Sequence, residues 1–189
     1  RRQRQMCIRD SYKDGDKNSS KKEVKNNSDS NLKTEAAKKT KVSIAAPIKG
    51  NVVALADVKD EAFSSESMGK GIAIEPEEGK VYAPADGVIS TFFPTGHAIG
   101  ITTDLGAEIL IHVGMDTVEM NGDGFEPQKS QGDKVKKGDL LLKFNIDKIK
   151  AAGHPVTTPV IITNSDDYAD VIPTNAPKVD SGDELIQII

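Results

Sequence analysis

The 189-residue chain is long enough for one domain of ordinary size with an apolar core, plus some excess. Hydrophobic residues make up 37% of it, Trp is absent, and the formal net charge is −4. Residues 1–41 hold 13 Lys and Arg against 6 Asp and Glu, whereas residues 42–189 hold 12 against 23. Because an acidic domain repels nucleic-acid phosphates and anionic lipid, we expect no nucleic-acid ligand and instead a partner with a basic contact surface.

The first 41 residues are not expected to join the fold. Residues 1–11 read RRQRQMCIRDS, which matches the translation of a transposase-type sequencing adapter, so we expect them, with Cys7, not to be native protein. Residues 12–41 are rich in Lys, Asn, Ser and Asp, which predicts a disordered linker. Such a linker implies another domain upstream; a frayed terminus of a single-domain protein is the alternative. With no bilayer-spanning run or signal-peptide pattern, a cytoplasmic location is expected.

From Ser43 onward, short apolar stretches alternate with Gly, Pro and Asp turn signals at intervals typical of β-sandwiches and barrels. One short helix is predicted at 147–152, where Asn145 can cap the start and Gly153 the end. The expected fold is all-β, an antiparallel sandwich or barrel. Its predicted strands are 52–55, 71–75, 80–82, 87–93, 98–103, 108–113, 140–144, 156–162 and 184–189.

Two sequence patterns recur within residues 42–189. APIKGNV at 46–52 returns as APADGVI at 83–89, and VKKGDLL at 135–141 returns as VDSGDEL at 179–185. In each pattern a turn containing Gly precedes an apolar strand. Turn residues recur by chance in many β proteins, but two pairs together favour an internally duplicated β unit.

His112 lies in a predicted strand, 108–113, and its place there suggests chemistry. The two-residue period of a strand puts Ile109, Ile111 and Val113 on an apolar face and His112 on the other, where a partner can reach it. With an unperturbed pKa of about 6.5, much of its imidazole is neutral and nucleophilic near neutral pH. If Nδ1 donates its hydrogen to a backbone carbonyl, Nε2 is left to attack phosphorus.

A second histidine, His97, lies 15 residues earlier. Beside His112 it could stabilise charge on a transferring phosphoryl group, and the Thr95 hydroxyl could orient it. The residue types alone equally allow two ordinary half-buried histidines.

The segment ILIHVGMDTV at 109–118 resembles the phosphorylation-site motif of enzyme IIA (EIIA) domains of the sugar phosphotransferase system (PTS), glucose superfamily. Other landmarks of that family occur in order on both sides, so the resemblance covers residues 42–189. They include Ala46-Pro47, Met68-Gly69-Lys70-Gly71, Ala83-Pro84, Thr95-Gly96-His97-Ala98, Gly132-Asp133, Gly138-Asp139 and Thr158-Pro159-Val160. DYADVIP at 167–173 and LIQII at 185–189 are most similar to the β-glucoside and sucrose branch, whose EIIA domain commonly follows EIIB and membrane EIIC domains on one chain.

The resemblance implies an antiparallel β-sandwich that carries phosphoryl groups, and we expect no cofactor and no metal ion. The phosphocarrier protein HPr would donate the group to His112, which would pass it to a cysteine of an EIIB domain. His97 and Thr95 match the supporting pair, and Asp116 matches an acidic position expected to meet a basic residue of a partner.

Three apolar residues near the motif are expected to add contact surface for a partner, or else to belong to the core. They are Val113, Met115 and Val118. His154 matches no functional position of the family and is expected at the surface.

Three other functions compete with the phosphoryl carrier. A zinc peptidase of similar architecture would need metal ligands where Leu110 and Ile101 stand. A biotinyl or lipoyl carrier would need a lysine displayed on a tight hairpin, which is not found. A regulatory module that binds partners according to its phosphorylation state overlaps with the carrier and stays open.

Overall fold

Antiparallel pairing joins fourteen strands into three sheets in the computed structural model, which describes residues 41–189. The strands are β1 (Val42–Ala45), β2 (Gly50–Val53), β3 (Lys70–Pro76), β4 (Lys80–Tyr82), β5 (Gly87–Phe92), β6 (Ala98–Thr103), β7 (Glu108–His112), β8 (Phe125–Pro127), β9 (Lys134–Val135), β10 (Leu140–Phe144), β11 (Thr158–Ile162), β12 (Val171–Pro173), β13 (Lys178–Val179) and β14 (Glu184–Ile188). The helices are α1 (Glu61–Ser64) and α2 (Ile146–Ala151), with 3₁₀ turns at Leu55–Asp57, Thr117–Met120 and Ser165–Asp167. The expected adapter-derived segment, 1–11, and the expected linker, apart from Lys41, lie outside the described residues.

One apolar cluster fills the space between the sheets. The large sheet runs β13-β2-β3-β11-β7-β6-β5-β9, and the two smaller sheets run β1-β14-β12 and β4-β10-β8. Each sheet contributes branched aliphatic side chains to the cluster, among them Ile44, Ile111 and Leu141. The predicted all-β antiparallel sandwich is confirmed, and most of its core side chains are Ile, Val, Leu and Ala, with Phe125 and Phe144 as aromatic members.

The two sequence repeats occupy equivalent places. The Ala46 N–H donates to the Asp183 carbonyl at 2.7 Å, and the Ala46 carbonyl accepts from the Gly182 N–H at 2.9 Å. In the other half, Ala83 makes the same two bonds with the 138–139 turn, at 2.8 and 2.9 Å. Each Ala-Pro segment is thus bonded to a Gly-Asp turn, in the symmetry that an internal duplication predicts.

The predicted helix is present, one residue earlier than expected. Asn145 Oδ1 accepts from the Lys148 N–H at 3.0 Å, and Gly153 follows the helix with a φ of 87°. The prediction of a single helix is wrong, because α1 forms a second one, capped by the Asp60 carboxylate. A helix of four residues is too short to show a periodic pattern in the sequence.

All nine predicted strands are present, three of them (β4, β6 and β10) with the predicted bounds and six with one or both ends shifted, and five short strands were not predicted. The unpredicted strands are β1, β8, β9, β12 and β13, which have two to four residues each. Alternation cannot be recognised over so few residues, so their conformation comes from pairing with longer neighbours.

Glycines at the equivalent positions 50 and 87 allow neighbouring strands to approach closely. A Cβ at Gly50 would lie 2.0 Å from the Glu75 carbonyl oxygen, and one at Gly87 would lie 2.3 Å from that of Thr102. We predict that Gly50→Ala and Gly87→Ala each lower the free energy of unfolding by at least about 2 kcal/mol, measured by urea denaturation.

Gly100→Ala is the matched control, because the closest contact of its Cβ would be the Ser90 hydroxyl, at 3.2 Å, and that side chain can turn away. The next atom, Thr91 Cβ, would lie at 3.4 Å, an ordinary contact distance. We expect a loss below about 1 kcal/mol for this control. Equal losses in all three variants would contradict the close-approach explanation.

Candidate functional site

The pairing of β6 with β7 brings His97 and His112 together. Ala98 pairs with His112, and the ladder continues one step further, with the Val113 N–H donating to the His97 carbonyl at 2.7 Å. The two imidazole rings have their centroids 5.1 Å apart and lie edge to face, at 73°. The β6–β7 hairpin therefore brings together two histidines that lie 15 residues apart in the sequence.

His112 stands at the end of β7 with one ring nitrogen engaged. Its Nδ1 lies 2.7 Å from the Gly114 carbonyl oxygen, and since a carbonyl can only accept, Nδ1 carries the hydrogen. No hydrogen bond to Nε2 occurs within residues 41–189, and the side chain is partly exposed. Phe63 of α1 packs on one side of the ring, with centroids 5.2 Å apart. His112 thus offers an unprotonated Nε2 on its open side.

His97 is more deeply placed, with 6% of its surface exposed. Its Nδ1 lies 2.5 Å from Thr95 Oγ1, and the Phe93 ring packs against it at 5.2 Å. Gly96, between the threonine and the histidine, has a φ of 74°, a conformation that favours glycine. The 95–97 turn therefore holds a hydroxyl against the imidazole.

Burial keeps both imidazoles neutral near neutral pH. It lowers the pKa of His97 to about 4, with a further lowering from the charge that His112 would carry. Burial also lowers the pKa of His112, against the opposing effects of the Gly114 carbonyl and of the carboxylates of Asp60 and Asp116. A neutral His112 keeps the Nε2 lone pair that a nucleophile needs.

Of the four residues expected to contact a partner, two are exposed and two are buried. Asp116 is exposed, with a φ of 54°, and Val118 is 50% exposed. Val113 and Met115 are buried, so their side chains present no contact surface. Val113 and Met115 therefore belong to the core, and the expectation that their side chains contact a partner is corrected.

Three residues at the site were not singled out from the sequence. They are Asp60, which lies near enough to His112 to raise its pKa, and the aromatic residues Phe63 and Phe93. Phe93 is 40% exposed beside His97 and adds apolar surface that the motif did not indicate. For these three residues the sequence offers one signal: Asp60, directly before Glu61, is of a type that commonly caps a helix.

His154 is less exposed than expected. Only 14% of its side chain is accessible, and its Nε2 lies 4.0 Å from a carboxylate oxygen of Glu119.

Across residues 41–189, no group of three or more His, Cys, Asp or Glu side chains is arranged to hold a metal ion.

Family comparison identifies the chain. A model of the phosphoenolpyruvate-dependent sugar phosphotransferase system EIIA family matches residues 42–168. The chain belongs to this family. It is an EIIA phosphoryl carrier, a phosphotransferase component of the PTS, as the motif at 109–118 predicted.

The relatives include fused transporters. The β-glucoside-specific EIIBCA component of Halalkalibacterium halodurans is 48% identical over 167 residues, covering 86% of this chain and 26% of that protein. The component of the same name from Bacillus subtilis is 57% identical over 126 residues, covering 67% and 21%. The chain thus spans about a quarter of the length of these relatives. No helix within residues 41–189 is long and apolar enough to cross a membrane.

A solved structure shares the fold. Glucose permease IIA from Mycoplasma capricolum superposes with a TM-score of 0.70 at 33% identity, covering 78% of this EIIA chain and 95% of that one.

The lowered pKa of His97 predicts a pH-dependent stability. Its folded-state pKa, about 4, lies below the unfolded value of about 6.5, so the unfolded state binds more protons between them. The free energy of unfolding therefore falls as the pH falls through this window, by an amount on the order of 1–2 kcal/mol from His97 at pH about 5.

Urea denaturation at several pH values, for the wild type and His97→Gln, measures this contribution. We expect the variant to lose less stability on acidification, because glutamine does not titrate. The same slope in both proteins would contradict the neutral, buried state of His97.

Proposed function

We propose that Nε2 of His112 accepts a phosphoryl group from phospho-HPr and passes it to a cysteine of an EIIB domain. In the first step the phosphorus–nitrogen bond in phospho-HPr breaks as phosphorus bonds to Nε2 of His112. In the second step this new bond breaks as the thiolate of an EIIB cysteine bonds to phosphorus, and Nε2 regains its lone pair. The hydrogen bond from His112 Nδ1 to the Gly114 carbonyl carries the proposal, since it leaves Nε2 with its lone pair.

We assign His97 and Thr95 a supporting role in both steps. If the Thr95 hydroxyl donates to Nδ1 of His97, the hydrogen of that ring resides on Nε2, where it can be donated to a phosphoryl oxygen. The 5.1 Å separation of the ring centroids supports this role, because it is short enough for one phosphoryl group to contact both rings. Phosphoryl transfer depends mainly on positioning and electrostatic stabilisation, which this pair supplies.

The surface around the histidines fits a protein partner with an apolar centre and a basic rim. Exposed apolar surface comes from Phe93, which packs against His97, and from Val118, two residues after Asp116. Negative charge comes from Asp60 and Asp116. Carboxylates at the edge of an apolar contact steer a basic partner and orient it. In the proposed cycle, HPr and EIIB dock on this same surface, one after the other.

The proposal extends to the natural chain. Residues 42–189 act as the EIIA domain, and residues 12–41 link it to EIIB and membrane EIIC domains upstream, so the domain is tethered at the cytoplasmic face of the membrane. Support comes from the EIIBCA names of the β-glucoside-specific relatives, in which the matched region covers 26% and 21% of the length. The coupled transport serves a β-glucoside or a related sugar.

Incubation with radiolabelled phospho-HPr is expected to label the wild type on one histidine. His112→Ala should abolish labelling, because it removes the only proposed nucleophile. His154→Ala is the control, and it should retain the label because His154 lies outside the pair. Label that persists in His112→Ala would overturn the assignment.

His97→Gln separates acceptance from onward transfer. Its His112 keeps the Gly114 contact and should still be labelled, whereas transfer to an EIIB domain should slow by about 10²-fold, the effect of removing one donor to a transition state. Quenched-flow measurement of label leaving the phosphorylated variant checks this. Onward transfer at the wild-type rate would remove the proposed role of His97.

A further inference from the structure

The carbonyl that fixes the His112 tautomer is held from the other side of its own peptide group. The Gly114–Met115 peptide accepts from His112 Nδ1 through its carbonyl, at 2.7 Å, and donates to the Pro155 carbonyl through its N–H, at 3.0 Å. Because a peptide group is planar, fixing the N–H fixes the direction of the carbonyl. A bond to the N–H also polarises the carbonyl and makes it a stronger acceptor.

The preceding peptide group is held as well, by a side chain. Thr117 is completely buried, and its Oγ1 donates to the Val113 carbonyl at 2.6 Å. The Val113 N–H donates to the His97 carbonyl at 2.7 Å. The Thr117 hydroxyl therefore ties the loop after β7 back to the end of the strand that carries His112.

Gly114 packs tightly against Thr117 and the Pro155 carbonyl. With a φ of 72°, it lies so close to them that a Cβ would stand 2.6 Å from Thr117 Cγ2 and 2.9 Å from the Pro155 oxygen. A side chain at position 114 would therefore clash with both, so Thr117 and Pro155 lie directly against Gly114. The position of the Gly114 carbonyl is set by Thr117 and Pro155 together.

We infer that Thr117 is a positioning residue for phosphoryl acceptance, acting through the Val113 and Gly114 peptide groups to keep the hydrogen of His112 on Nδ1. The inference rests on the proposed function of His112 and assigns Thr117 no contact with the phosphoryl group. Without the hydroxyl, the buried Val113 carbonyl loses its donor. The loop then moves to expose this carbonyl to water, and the Gly114 carbonyl moves with it.

Thr117→Val tests the inference, because it removes the donor and keeps the shape of the side chain. Nitrogen chemical shifts of the unphosphorylated protein, labelled at histidine and held above the pKa of His112, report the tautomer directly. We expect Nδ1–H in the wild type and a substantial Nε2–H fraction in the variant. The rate of labelling by phospho-HPr should fall about tenfold, the change that corresponds to one hydrogen bond.

Two further variants separate positioning from packing. Thr117→Ser restores the donor and should recover the Nδ1–H tautomer and most of the rate. Thr103→Val removes another buried hydroxyl that bonds to backbone, at the far end of β6, and should lower stability without changing the His112 tautomer. If Thr117→Val does not fold, Thr117→Cys, a weaker donor, replaces it and should give intermediate shifts.

A Thr117→Val or Thr117→Cys protein that keeps the wild-type tautomer and rate would overturn the inference, as would equal rate losses in the valine and serine variants. The tautomer measurement needs no HPr. Failure of the wild type to accept phosphate at His112 would therefore count against the proposed function alone.

Discussion

The hydrogen bond from His112 Nδ1 to the Gly114 carbonyl is the contact on which the rest of the site depends. It makes Nδ1 the donor, frees Nε2 and sets the angle of the ring toward His97. Its acceptor lies two residues along the chain, so the geometry is local, but the loop that presents the acceptor is fixed by the distant Pro155. In the proposed function, backbone groups thus prepare His112 as the nucleophile, and it requires no separate base.

Two opposing electrostatic effects act on this imidazole. Burial disfavours its charged form, whereas Asp60 and Asp116 favour it, and the balance lowers its pKa. In the proposed function, the same negative potential disfavours an anionic phosphoryl group on Nε2 of His112, while a hydrogen on Nε2 of His97 favours it. In the proposed function these effects offset one another, which suits a carrier that must release the group as readily as it accepts it.

How far the sequence predicts the site depends on the range of the interactions involved. Alternation along β7 correctly placed His112 opposite the core face of Ile109 and Ile111, because one strand contains the whole signal. Alternation could not predict the direction of His97, because this residue precedes β6. Its direction is set by the turn at Gly96 instead. The sequence predicts α2 from its cap at Asn145 but gives no sign of the four-residue α1. The functional prediction came from the resemblance of the motif at 109–118.

The burial of Val113 and Met115 shows why a motif does not reveal which of its residues face a partner. Val113 packs into the main cluster, and Met115 packs into a second cluster with Phe63 and Ile161, beneath α1. The two side chains anchor the loop in different parts of the core, and the Gly114 carbonyl lies between the anchors. Since Phe63 also contacts the His112 ring, the second cluster joins α1, the loop and His112. Residues expected to bind a partner thus stabilise the acceptor that fixes the tautomer, and this follows only from contacts between segments far apart in the sequence.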